Sequence, residues 1–183
     1  MGADIGGGGG GGGSGQNPLS PPGSVLVLGV GNILLADEGV GVRAVDAFRC
    51  RYVVPAEVEI LDGGTAGMGL IDLIAGRKHL IIVDAVNAGG APGSIIRLAG
   101  ADIVPFLRQR LSPHQLGLLD VLAYLQLMET APESVTIIGI TPDDMSLSLD
   151  LSPSLQAALT GIADRIADEL TGLGVPLVRA GEA

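Results

Sequence analysis

Apolar residues in this chain come in short runs, each closed by an acid, with stretches of helical spacing between them. Val25-Leu26-Val27-Leu28 leads into Gly29-Val30-Gly31-Asn32 and then Asp37-Glu38; residues 57–61 stop at Asp62; residues 79–83 stop at Asp84. The 79–83 run, apolar after His79 without alternation, is of the kind buried on both faces, as in a parallel sheet. Between the first two, Val42, Val45 and Phe48, flanked by Ala44 and Ala47, recur at helical spacing over residues 39–51. A helix is also expected over residues 65–75, after the turn-forming Gly63-Gly64 and ending at Gly76.

The second half continues the alternation. Residues 94–98 alternate weakly, as an edge strand does, and the connection from residue 83 is too short for a parallel crossover. That strand is therefore expected to form an antiparallel hairpin with the 79–83 strand. Ser112-Pro113-His114-Gln115 has the form of a capped helix start, with Ser112 as N-cap, Pro113 at the first helical position and Gln115 closing a capping box. Leu116, Leu119, Val121, Leu122 and Leu125 supply its buried stripe. Residues 135–140 form the last strand and 154–173 a closing amphipathic helix. The pattern describes one three-layer α/β domain, an α/β/α sandwich around a mixed, mostly parallel, twisted five-stranded sheet.

In such a sheet the ligand crevice lies at the C-terminal ends of the strands. Glu38, Asp62 and Asp84 then gather at one edge, with Asp37 nearby, and His114 can bring an imidazole. Carboxylates with one imidazole make either a hard-to-borderline metal site or an acid–base site. Asp84 is the hardest of these to read as structural, because an ionised carboxylate after a fully apolar strand needs a partner or a metal. Glu38 also suits the first turn of a helix through the dipole, and Asp62 suits a turn before Gly63-Gly64. Asp37 is expected to face solvent or to support its loop. A helix N-terminus disfavours an imidazolium, so His114 is expected in the neutral, metal-binding form. His79, at the other end of its strand, is assigned no role.

Composition narrows the field. Of 183 residues 47% are apolar but only 2% aromatic, so the core is built from Val, Ile, Leu and Ala. A net charge of −10 argues against nucleic acid or an anionic membrane as partner. Cys50 is the single cysteine, so there is no intrachain disulfide, and a reducing cytoplasm is expected. No apolar stretch approaches the ~20 residues of a membrane helix. Residues 1–23, with Gly6 to Gly13 unbroken, have nothing to bury and are expected to be disordered, leaving 24–183 as one domain. A monomer is expected.

Gly29-Val30-Gly31 after a buried first strand invites a dinucleotide-binding reading. Leu34 stands in the place of the third glycine, and a pyrophosphate there would meet Asp37 and Glu38 instead of bare N–H groups. The loop suits a cation better.

Five segments carry a family resemblance. Val-Leu-Gly-Val-Gly-Asn-Ile-Leu-Leu-Ala-Asp-Glu-Gly-Val-Gly-Val-Arg (27–43), Leu-Asp-Gly-Gly-Thr-Ala-Gly-Met (61–68), Val-Asp-Ala (83–85), Ala-Pro-Gly (91–93) and Ser-Pro-His-Gln-Leu-Gly-Leu (112–118) resemble, in order and spacing, the nickel–iron hydrogenase maturation endopeptidases. The resemblance implies a protease that removes a C-terminal extension from the hydrogenase large-subunit precursor after nickel insertion. It implies a metal-contacting set of Glu38, Asp84 and His114, with Asp62 bordering the same cleft as a further catalytic carboxylate. The nickel would be recognised on the precursor, with no tightly bound resident cofactor. The peptidase class is filed as aspartic, yet neither Asp-Thr-Gly nor Asp-Ser-Gly occurs here, and no nucleophile elbow is present. Two other functions compete: a nucleotide-binding Rossmann-like module, and a nickel or precursor chaperone that cuts nothing.

Overall fold

The structure is a computed structural model that describes residues 23–108 and 113–181, and leaves the side chains of 113–116 outside the description. The expectation for the glycine-rich tail, Gly23 apart, and the N-cap assigned to Ser112 fall outside these residues.

The apolar runs become β1 (Val25–Val30), β3 (Val58–Gly64), β4 (His79–Ala85) and β6 (Ser134–Ile140), joined by β5 (Ile95–Ala99) in a five-stranded sheet of order β3-β1-β4-β6-β5. The first four are parallel, and β5 runs antiparallel to β6. Helices α1 (Val40–Arg51) and α5 (Pro153–Gly172) pack together on one face; α2 (Ile71–Ile74), α3 (Ile103–Arg108) and α4 (Pro113–Leu127) contribute to the other. Period-2 alternation divides the strands between two cores. Val25, Val27, Ile81 and Val83 meet Val45, Phe48 and Ile166, while Leu26, Leu28, Leu80 and Ile82 meet Ile74, Val121 and Leu125. The sandwich expected from the sequence is thus present.

Two expectations need correction. The strand at 95–99 is antiparallel and at the edge, but its neighbour is β6, not β4. The β4–β5 connection crosses the end of β6, where Val86 N–H donates to Ile140 O (2.8 Å) and Gly93 N–H to Thr141 O (2.8 Å). β6, buried from Thr136 to Ile140, takes the interior place, and β5, which carries Arg97, the edge. The helix expected at 65–75 is only a 3₁₀ turn, Gly67–Leu70, followed by the single turn of α2. Gly67 has φ +49° and cannot begin a longer helix. Sequence pattern also missed α3, which is interrupted in composition by Pro105, and a two-stranded ribbon of β2 (Tyr52–Val53) with β7 (Val178–Arg179).

The glycines of the first loop set how closely α1 lies on the sheet. A Cβ at Gly41 would strike the carbonyl oxygens of both Val30 and Val83, and one at Gly29 would meet Gly41 O at 2.5 Å. Both obstacles are backbone, so no rotamer change relieves them. Gly41→Ala is expected to cost about 3 kcal/mol and lower the melting temperature by about 10 °C, read by circular dichroism.

Candidate functional site

The C-terminal edge of the sheet is assembled from three loops. The first, after β1, runs through Gly31 (φ +134°), where any Cβ would collide with the Glu38 carbonyl, so the chain closes tightly on itself. Ala36 then adopts a left-handed backbone, φ +42°, unusual for a residue with a side chain. Its N–H donates to Ser148 O at 2.9 Å, which helps hold the bend. The reversal sends Asp37 inward and leaves Glu38 half-buried in a 3₁₀ turn, Ala36–Gly39, that packs against β4.

Asp37 is fully buried. Of the two roles open to it, it supports the loop and does not face solvent. Its Oδ2 accepts from the backbone N–H of Asp143 (2.9 Å) and Asp144 (2.8 Å), and its Oδ1 from Ser152 N–H (2.7 Å). Burial alone would push its pKa up, but the donors from Asp144, Ser152 and Asp143 together outweigh it and hold the carboxyl below its ordinary value. Ser152 in turn caps α5, its Oγ accepting from Leu155 N–H at 3.3 Å. One carboxylate therefore ties the loop carrying Glu38 to the 141–152 loop and to the start of α5.

Asp84 lies near the end of β4, 2% exposed and in register with Gly139. Alternation with Leu80 and Ile82 puts it on the face covered by α4. Helix α4 begins at this same edge: Gly117 lies close to Gly67, with a Cβ there 3.6 Å from the Gly67 Cα. His114, in the first turn of α4, is thereby placed at the crevice by its backbone. Its side chain lies outside the described residues.

Asp62 ends up exposed beside Gly29 in the β1–β3 register, with Oδ1 accepting from Gly64 N–H at 2.8 Å. It shares the sheet side of Val58 and Ile60, opposite to that of Asp84, and β1 separates their strands. Among the described residues no three His, Cys, Asp or Glu side chains group so as to hold a metal ion. Glu38, Asp62 and Asp84 are thus gathered at one edge without forming a carboxylate cage of their own. A set of Glu38, Asp84 and an imidazole from α4 is a donor set suited to a borderline divalent cation.

Other candidates lie elsewhere. A cleft of ≈ 830 Å³ opens at the opposite edge, lined among others by His79, Arg97, Leu122 and Glu169. Two polar pairs close within it, Arg97 with Glu169 at 2.6 Å and His79 Nδ1 with Ser134 Oγ at 2.8 Å. Burial and the neighbouring Lys78 push the His79 imidazolium pKa down. Cys50 is exposed on α1, and both flanking arginines are engaged, Arg49 with Ile60 O and Arg51 with Asp164.

Sequence reasoning missed the 141–152 loop. Its signal was the alternation Met145-Ser146-Leu147-Ser148-Leu149, a segment that bridges to the loop after β1 at Leu35–Ser148 and takes a hydrogen bond from Arg43 of α1 on Leu149 O.

A family model described as HycI, hydrogenase maturation protease, matches residues 42–169. The hydrogenase 2 maturation protease of Escherichia coli is 43% identical over 155 residues, spanning 84% of this chain and 94% of that protein. The hydrogenase expression/formation protein HupD of Rhodobacter capsulatus is 40% identical over 148 residues, spanning 80% of this chain and 69% of its own length. Among solved structures, the hydrogenase maturating endopeptidase HybD from E. coli superposes with TM-score 0.83 at 41% identity, covering 87% of this chain and 99% of that one. The nickel–iron hydrogenase maturation protease HybD from Thermococcus kodakarensis gives TM-score 0.66 at 26% identity, covering 80% and 97%.

Proposed function

The chain belongs to the hydrogenase maturation protease family, and on that premise we propose that it removes the C-terminal extension from the nickel-loaded large-subunit precursor of a nickel–iron hydrogenase. The observation that carries this reading is the carboxylate of Asp84, buried on the α4 face of the ligand-binding edge. A carboxylate buried at the edge where such sheets take their ligands is placed to act on a bound cation or a proton.

In this reading Glu38 and Asp84 supply two oxygen donors, and His114 an imidazole, to nickel that arrives as part of the substrate. A precursor without nickel lacks that contact and is held less well, so specificity is a difference in binding between two substrate states. Hydrolysis then needs a water placed on the scissile carbonyl. Its oxygen bonds to the carbonyl carbon, a carboxylate takes the proton as general base, and the leaving amine is protonated as the C–N bond breaks. Asp62, oriented by its own turn to Gly64, is the further carboxylate assigned to this edge. This carboxylate chemistry is what an aspartic-type classification of the enzyme would rest on.

The nucleotide-binding alternative fails on the acids of the turn before α1, which stand where a pyrophosphate needs bare N–H groups. Gly29 and Gly41 are consumed in close packing of α1 on the sheet, and the turn before α1 carries Asp37 and Glu38. A cytoplasmic, monomeric enzyme belongs to the same proposal. No helix among the described residues is long and apolar enough to cross a membrane.

The roles are tested by incubating nickel-loaded precursor with wild type, Glu38→Gln and His114→Ala and weighing the large subunit by mass spectrometry. Wild type is expected to shorten it, and each variant to do so at least about 100-fold more slowly. Processing at the wild-type rate by either variant removes that residue from the site.

A further inference from the structure

Two loops beside the crevice hold apolar side chains in the open. Leu147 is 83% exposed and Leu149 61%, next to Leu34 at 53%. Met145 and Ile33, in the same two segments of chain, are exposed as well. These loops are firmly built. Ser148 N–H donates to Leu34 O (3.0 Å), and Leu35 and Ser148 form a parallel bridge. Asp144 caps the turn through Ser146 N–H (2.8 Å) and Ser146 Oγ (2.9 Å), and Arg43 reaches Leu149 O at 3.0 Å. With the Asp37 bonds beneath, the segment cannot fold its leucines under without breaking this lacing. An ordered loop that keeps contiguous apolar side chains in water marks an interaction surface.

The surroundings indicate the partner. The strip is rimmed by the exposed acids Asp143, Asp144 and Asp150; Asp143 accepts from Ser154 Oγ and Asp144 from Ser146, and among the described residues no cationic side chain pairs with any of the three. A second copy would bring like rims together across a two-fold contact, in a chain of net charge −10. The strip is also continuous with the site, since Leu35 lies three residues before Glu38 and is bridged to Ser148.

We propose that the Leu34–Leu147–Leu149 strip is the docking surface for the hydrogenase precursor, taking an apolar patch bordered by Lys or Arg near the segment to be cut. The inference rests on the proteolytic reading for its partner, but it assigns residues outside the catalytic set.

The test is a Leu147→Ser/Leu149→Ser double variant, with Leu127→Ser as control, a residue 80% exposed at the far end of α4. KM and kcat for nickel-loaded precursor are measured at low and high salt, with precursor Kd, melting temperature and solution mass. Both leucines are already in water, so the melting temperature should hold. KM and Kd should rise by about 10- to 100-fold, and the control should match wild type. Wild-type KM should also rise with salt. Unchanged KM and Kd in the double variant overturn the proposal, as does a loss of dimer with KM unaffected, which would give the strip to a second copy. If wild type binds precursor but leaves its C-terminus intact, the proteolytic reading fails while weakened Kd in the variant still supports docking.

Discussion

Asp84→Asn leaves the precursor uncut: kcat/KM for nickel-loaded substrate is expected to fall by about 10³ or more. The change keeps the shape of the side chain and removes its charge. At an exposed site that would matter little. Asp84 is 2% exposed, on the face closed by α4 and at the edge where α4 begins. A charge there acts in a low-dielectric setting, where it contributes most to holding a cation or a proton. General-base or ligand loss in such a place typically costs 10²–10⁴ in rate. The variant should still fold, so its circular dichroism melt is measured alongside. A folded Asp84→Asn protein that processes precursor normally would take Asp84 out of the mechanism.

Asp37→Ala carries the largest expected structural effect. It strands three backbone donors, that of Ser152 buried and those of Asp143 and Asp144 part-buried. Each unsatisfied group costs about 1–3 kcal/mol, and relaxation recovers part, so about 4 kcal/mol and 10 °C in melting temperature are expected. Asp37→Asn should be intermediate. Both carboxylate oxygens are acceptors here, and an amide can present only one oxygen, turning an NH₂ toward an N–H on the other side. The pH dependence follows from the lowered pKa. A group whose folded-state pKa lies below its unfolded value stabilises the fold above the unfolded value, 3.8 here, and loses that contribution as pH falls through the folded one. Wild-type stability should therefore drop below about pH 4 more steeply than that of Asp37→Asn, as read by acid titration of the melt. Equal slopes would show that Asp37 is not the acid-sensitive tie. Because Glu38 is the next residue, both variants should also slow processing.

Local pattern made the frame legible. Runs such as Leu80-Ile81-Ile82-Val83 have no face to give to water, and a charge directly after them can only sit at the sheet's edge. Asp84 was found that way. Val42, Val45 and Phe48 revealed α1 for the same reason. What stayed hidden depends on contacts between distant segments. Nothing near Asp37 marks it as buried, because its partners lie 106 to 115 residues away. The place of β5 beside β6 is likewise a matter of strand order, which periodicity does not encode. The shortening of the 65–75 helix was readable in principle, since Gly67 and Gly69 stand in its first turns. The metal-contacting roles proposed for Glu38 and His114 rest on family motifs, and the fold adds only that both lie in first turns at the edge where Asp84 nears the end of β4.

The central claim is that this edge senses nickel on another protein and couples it to one cut. The most direct measurement is the intact mass of the large-subunit precursor after incubation with wild-type enzyme, with and without nickel loaded. The account predicts a loss equal to the C-terminal extension only in the loaded sample. Equal cleavage of both, or of neither, would contradict it.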